Sequence, residues 1–295
     1  MTSAHPADAP PPPRPDRVGV LGGGRMGAGI AHAFLLAGSR VTVIERDDDS
    51  ADAAAGRVGD SIRRSVDRDR ALDEIGLRAR LRTGTDVGLF GDCDLVIEAV
   101  PEDRALKEHS LARAETAMAP RAVLATNTSS ISIDDLAVTR ERPALFLGLH
   151  FFNPVPASSM VEIVRGAATA DEVVDLASAW VQALGKTPIV VRDSPGFASS
   201  RLGVLLGLEA IRMLEEGVAS AADIDAAMTQ GYRHPIGPLR TTDIVGLDVR
   251  LGIAEELERA YGERFAPPAL LRRMVADGHL GRKACRGFYE WNEER

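Results

Sequence analysis

The chain has 295 residues, 45% of them hydrophobic and 26% charged, with a formal net charge of −8. That length buries one large core or two smaller ones, the acidic balance excludes a nucleic-acid surface, and no apolar run is long enough to span a membrane. Cys93 and Cys285 are too few and too far apart for a disulfide scaffold or a zinc site, so no metal is expected and a reducing cytoplasm fits.

Residues 1–16 hold a Pro-rich run with a polar start and no apolar h-region, and read as a disordered leader. The ordered chain begins with the apolar strand Val18-Gly19-Val20-Leu21. It runs into Gly22-Gly23-Gly24-Arg25-Met26-Gly27, a helical stretch over 28–37 and a second strand, Val41 to Glu45. Gly22, Gly24 and Gly27 have the Gly-x-Gly-x-x-Gly spacing, which permits a tight turn, close approach of a pyrophosphate and close packing of helix on strand. Glu45, at the end of the second strand, can accept hydrogen bonds from the adenosine ribose and repel the extra phosphate of NADP, although the basic Arg46 beside it can hold such a phosphate. Strand, glycine triplet, helix, strand and terminal acid in that order indicate binding of a dinucleotide, NAD.

Helical patterns over 48–69, 104–118 and 171–184 alternate with strands at 95–99, 123–126, 145–149, 161–164 and 189–191. The alternation predicts an α/β fold with a doubly wound, Rossmann-type sheet, whose ligands bind beyond the carboxyl ends of the strands, where Asn127, Ser129 and His150 fall. If the runs on either side of the Pro-rich loop centred on residue 156 fold back on each other, His150 and Glu162 become cross-strand neighbours. Such a pair is either a general base with its orienter or a core histidine tethered by a buried carboxylate.

After Asp193-Ser194-Pro195-Gly196 the pattern turns helical, which divides the chain into a sheet domain over 17–193 and a smaller all-helical domain over 194–295. The helix over 197–216 carries Leu202, Val204, Leu205, Leu206, Leu208, Ile211, Met213 and Leu214 on every face, so an axial helix buried with help from a second subunit, and a homodimer through this domain, are expected. His32, Met26, Trp180, His234 and Trp291 read as packing residues.

These residues resemble the L-3-hydroxyacyl-CoA dehydrogenase family, most closely its short bacterial 3-hydroxybutyryl-CoA members, over residues 17–291. The resemblance rests on Gly22 to Gly27, Glu98 to Lys107, Asn127-Thr128-Ser129-Ser130, His150 to Pro156 with Glu162, Asp193 to Phe197, His234 to Leu239, Gly246-Leu247-Asp248 and Leu280 to Lys283. It implies that His150 is the catalytic base, Glu162 its orienter and Ser129 a hydrogen-bond partner of the substrate's 3-oxygen. It further implies cofactor contacts from Glu45, Glu102, Lys107, Asn127, Ser129, Asn153 and Lys283, with Asn153 also beside an acyl-CoA substrate. The coenzyme A phosphates would fall to Ser61 and to the arginines at 63, 64 and 68, although Asp60, Asp67 and Asp69 interleave and an ordinary solvated helix face looks the same.

The chain departs from the family pattern at Ser200, where an active-site asparagine is usual, and at Ala284-Cys285, where Thr-Gly usually follows the lysine. Two other readings stand beside the leading one. The first is the same chemistry on an acyl-carrier-protein thioester or a free hydroxy acid, and the second a non-catalytic NAD-binding protein of the crystallin type, for which His150 and Glu162 would be unnecessary. A beta-hydroxyacid dehydrogenase would use a helical catalytic lysine, a role that Lys186, set before a Pro-initiated strand, fits poorly.

Overall fold

In the computed structural model the described residues are 13–291, so residues 1–12 of the expected leader lie outside them. The end of that stretch is tied down: Ser39 Oγ donates to the Pro15 carbonyl at 2.7 Å and Arg40 N to that of Asp16 at 2.8 Å. The chain divides into two compact units, the first ending at Asp193 and the second beginning at Ser194.

The first unit is built on an eight-stranded sheet in the order β3-β2-β1-β4-β5-β6-β7-β8. The strands are β1 (Arg17–Leu21), β2 (Arg40–Ile44), β3 (Leu81–Gly84), β4 (Leu95–Glu98), β5 (Val123–Thr126), β6 (Phe146–Phe151), β7 (Met160–Arg165) and β8 (Thr187–Arg192). Every neighbouring pair is parallel except β6 and β7. Val18, Val20, Leu95, Ile97, Val123 and Ala125 are almost wholly buried, as parallel strands covered on both faces require.

The helices of this unit are α1 (Arg25–Leu36), α2 (Asp48–Arg68), α3 (Glu74–Ala79), α4 (Arg104–Ala117), α5 (Ile133–Ala137) and α6 (Asp171–Ala183). Asp47 caps α2 by accepting from Ser50 N, and Asp103 caps α4 by accepting from Leu106 N, so both starts are fixed by short acidic side chains. β3 was not expected from the sequence. With Arg82, Thr83 and Gly84 after a single leucine it has no strong pattern of its own, and it exists because the open edge of β2 pairs with it.

The second unit holds α7 (Ser199–Glu215), α8 (Ala221–Ala226), α9 (Pro238–Val245), α10 (Leu247–Tyr261) and α11 (Ala269–Ala276), around Val204, Leu208, Ile211, Leu239, Leu247, Leu257 and Phe265. Within one chain α7 is buried on one side only, with Leu202 67% and Leu205 40% exposed, so the expected burial on all sides rests on the second subunit. The reason is geometric, since the neighbours within one chain cover the stripe at 204, 208 and 211, spaced four and three residues apart on one helix face, and leave the opposite side uncovered.

Candidate active site

The glycine turn after β1 is shaped by two close approaches. Gly22 has φ +96°, and a Cβ there would stand 2.9 Å from the Ala99 carbonyl oxygen, while one at Gly27 would stand 1.8 Å from the Gly22 carbonyl oxygen. Gly24 is different, because a Cβ would meet nothing within 4 Å. It caps α1 without a side-chain hydrogen bond, so backbone alone borders open space at a helix N-terminus, and these residues fit a dinucleotide pyrophosphate.

Glu45, immediately after β2, accepts from Gly23 N through Oε1 at 2.7 Å. Arg46 turns its guanidinium to Asp47, Nε to Oδ2 2.8 Å. The turn, Glu45 and Arg46 line a cleft of about 830 Å³ that also takes in Glu102, Asn127, Ser129, His150 and Asn153.

Strand register brings His150 and Glu162 together. β6 and β7 run antiparallel with His150 directly opposite Glu162, and His150 Nδ1 lies 2.8 Å from Glu162 Oε2. Both are buried, His150 at 6% exposure and Glu162 at 0%, and the Phe152 ring lies over the imidazole at a centroid distance of 4.4 Å. A carboxylate only accepts, so the proton on this contact belongs to Nδ1. Asn127 Oδ1 accepts from Phe151 N at 2.9 Å, which ties the end of β5 to the end of β6 and fixes the Ser-rich turn relative to His150.

Glu102 organises that turn. Its Oε1 accepts from Thr128 Oγ1 at 2.6 Å and from Ser129 N at 2.9 Å. Burial pushes the Glu102 carboxyl up, but the Lys107 ammonium and the hydrogen bonds from Thr128, Ser129 and Lys107 outweigh it and hold the group below the usual carboxylate range.

Besides Glu162, four expected residues of the sheet unit are not among those that line the cleft. Lys107 is 1% exposed and bonded to Glu98, one layer behind the lining residue Glu102, and Gly27 is buried behind the turn. Ser61 donates to the Arg57 carbonyl at 3.0 Å on α2, and neither it nor Arg68 lines the cleft. Ser200 lies in the first turn of α7, and Lys283 pairs with Asp248 at 2.6 Å, both in the helical unit. Sequence reasoning gave no role to Glu98 or Arg57. Glu98 carried a signal, an acid closing an apolar strand as Glu45 closes the β2 run, whereas Arg57, whose Nη1 reaches the Gly23 carbonyl at 3.3 Å, is one of several arginines on a charged helix.

Residues 17–194 match the family described as 3-hydroxyacyl-CoA dehydrogenase, NAD binding domain, and residues 196–291 its C-terminal domain. A 3-hydroxybutyryl-CoA dehydrogenase of Mycobacterium tuberculosis is 42% identical over 286 residues, 93% of this chain and 98% of that protein. A probable 3-hydroxybutyryl-CoA dehydrogenase of Deinococcus radiodurans is 39% identical over 277 residues, 93% of this chain and all of that protein. The crystal structure of (S)-3-hydroxybutyryl-CoA dehydrogenase from Ralstonia eutropha superposes with a TM-score of 0.90 at 37% identity, over 95% of this chain and 100% of that one.

Proposed function

The chain belongs to the 3-hydroxyacyl-CoA dehydrogenase family, an NAD-dependent oxidoreductase, and from that premise we propose that it interconverts short-chain L-3-hydroxyacyl-CoA, 3-hydroxybutyryl-CoA above all, and the matching 3-ketoacyl-CoA through the His150–Glu162 pair. The observation that carries the reading is the 2.8 Å contact between His150 Nδ1 and Glu162 Oε2, with His150 in the wall of a cleft that Ser129 also lines.

NAD held in this cleft would supply the hydride acceptor for carbon 3 in oxidation, and NADH the hydride donor in reduction. In the oxidising direction His150 Nε2 takes the proton of the 3-hydroxyl, and Glu162 holds the Nδ1 tautomer and stabilises the imidazolium. In reduction the imidazolium gives that proton to the ketone oxygen, which Ser129 Oγ polarises by donating a hydrogen bond. Glu45, Glu102, Asn127 and Asn153 line the cofactor cleft in support of the cofactor contacts that the resemblance implies. Ser61 and Arg68 for the coenzyme A phosphates, Lys107 and Lys283 for the cofactor, and Ser200 enter on the resemblance alone.

A second copy of the chain completes the proposal. Leu202, Leu205, Ile244 and Val249, between 40% and 67% exposed on α7, α9 and α10, form apolar surface on the helical unit that a homodimer would cover. Light scattering that reads a monomer at micromolar concentration would remove the dimer. No helix among the described residues is long and apolar enough to cross a membrane, and the free Cys93 and Cys285 agree with the reducing cytoplasm in which we place the enzyme.

NADH oxidation tests the substrate directly, with acetoacetyl-CoA, longer 3-ketoacyl-CoAs, an acetoacetyl carrier protein and free 3-keto acids compared under one condition. The expected order puts acetoacetyl-CoA first in kcat/KM. Inactivity toward every CoA ester alongside turnover of another class would overturn the proposal.

A further inference from the structure

A sealed ion pair behind the cleft reaches Ser129 through one carboxylate. Glu98, at the carboxyl end of β4, is 0% exposed. Its Oε1 accepts from Lys107 Nζ at 2.8 Å and Val100 N at 2.7 Å, and its Oε2 from Thr126 Oγ1 at 2.6 Å. Lys107 Nζ also donates to the Val100 carbonyl at 3.3 Å and lies 3.3 Å from Glu102 Oε2. The charges therefore alternate from the core outward as carboxylate, ammonium and carboxylate.

The outer carboxylate is oversubscribed. Glu102 Oε1 faces Thr128 Oγ1 at 2.6 Å, Ser129 N at 2.9 Å, Ser130 N and Oγ both at 3.1 Å, and Ser129 Oγ at 3.3 Å. A carboxylate oxygen has lone pairs for about two strong bonds, so these donors compete and the longest is held least. That donor is the Ser129 hydroxyl, the group that must turn from Glu102 to a ketone oxygen if it is to polarise it.

Resting on the reading of this site as a 3-ketoacyl reductase, we infer that Lys107, anchored by Glu98, is a positioning residue: its pairing with Glu102 weakens that carboxylate's hold on the Ser129 hydroxyl, so that the hydroxyl can donate to the substrate's 3-oxygen. No proton is transferred in this step; the hydroxyl keeps its hydrogen and exchanges one acceptor for another. Two amides and the Thr128 hydroxyl keep Glu102 solvated after Ser129 Oγ leaves. With Lys107 gone, Glu102 carries an uncompensated charge, becomes the stronger acceptor and keeps the hydroxyl.

The experiment is a double-mutant cycle between the pair Glu98→Gln/Lys107→Met and Ser129→Ala, read as steady-state reduction of acetoacetyl-CoA by NADH, with thermal melts of every variant. Lys107→Met alone would strand Glu98 as a buried, unpaired charge, whereas the double replacement removes both charges together. It should melt within a few degrees of wild type and, with NADH saturating so that any cofactor contact of Lys107 drops out, lose roughly ten- to hundredfold in kcat, the scale of a misdirected hydrogen-bond donor. Ser129→Ala should cost a similar factor in wild type but less than about threefold in the double variant, because the hydroxyl is already misdirected there.

Unchanged kcat in the double variant, or fully additive losses, would overturn the proposal. So would a raised KM for NADH with kcat kept, which would leave Lys107 a cofactor contact and nothing more, or a kcat loss that tracks a lowered melting temperature, which would make the pair structural. Failure of the functional reading is visible separately, in a wild-type enzyme inert toward acetoacetyl-CoA, and takes the inference with it.

Discussion

Two buried histidines in the sheet unit have opposite surroundings. His32, on α1 against α2, is 2% exposed and its Nε2 lies 3.0 Å from Ser65 Oγ, while Nδ1 has no hydrogen-bond partner among the described residues. Burial, with the Arg64 charge adding to it, lowers its pKa to about 4, so the ring is locked neutral through the physiological range. His150 is buried nearly as deeply but faces Glu162 across two strands. Burial alone makes a histidine a neutral packing group. Burial with a carboxylate at hydrogen-bond distance instead gives the ring a fixed charged partner across the sheet.

The largest expected effect comes from breaking the second arrangement. His150→Gln keeps hydrogen-bonding capacity beside Glu162 but exchanges no proton near neutral pH. Its kcat for acetoacetyl-CoA reduction should fall by about a hundredfold to ten-thousandfold, with NADH affinity retained. Glu162→Gln should move the same way, since it leaves the imidazolium without its counter-charge. A kcat near wild type in His150→Gln, measured with NADH saturating, would take the histidine out of the mechanism.

The first arrangement makes a prediction about stability. His32 binds a proton more readily unfolded, near 6.5, than folded, near 4, so stability is complete above pH 6.5 and drains away as pH falls toward 4. The loss by pH 4.5 is about 2.5 kcal/mol from this group. His32→Gln removes the titration while keeping a partner for Ser65. Urea unfolding at pH 7.0 and 4.5 should therefore show a smaller pH dependence in the variant, by about that amount. Equal pH dependence in the two proteins would mean that His32 is hydrated in the folded state.

The contrast between these histidines was partly legible in the sequence. The register of His150 on Glu162 followed from two apolar runs placed symmetrically about a Pro-rich loop, because a hairpin pairs residues equidistant from its centre. The pairing of Glu98 with Lys107 was not legible, since a lysine on a helix normally points to water and only the packed structure reveals one at 1% exposure. β3 was missed because pairing with β2, and not its own residues, makes it a strand. On α7 the sequence displays apolar residues on every face but not which of them the chain's own helices cover, and within one chain Leu202 and Leu205 stay exposed.

The smallest effect concerns charges at the cleft rim, where the same rule of assigned partners separates Glu45 from Arg46. Glu45 is aimed by its bond from Gly23 N at 2.7 Å, and Arg46 is drawn to Asp47 at 2.8 Å, which also caps α2. Hydrogen bonds from Ser50, first from its side chain and then its backbone, followed by the bond from Arg46, hold the Asp47 carboxyl below its usual range, so it stays charged and keeps the guanidinium occupied. A 2′-phosphate entering beside Glu45 would meet a carboxylate at a few ångströms and an arginine already engaged. Coulomb repulsion there, screened by solvent, should favour NADH over NADPH by roughly tenfold to a hundredfold in kcat/KM. Asp47→Asn releases Arg46 while leaving Glu45 in place, and should raise kcat/KM for NADPH by a few-fold with little change for NADH. If the unmodified enzyme already uses the two cofactors equally, Arg46 has left Asp47 to meet the phosphate, and the rim is governed by the arginine instead of the acid.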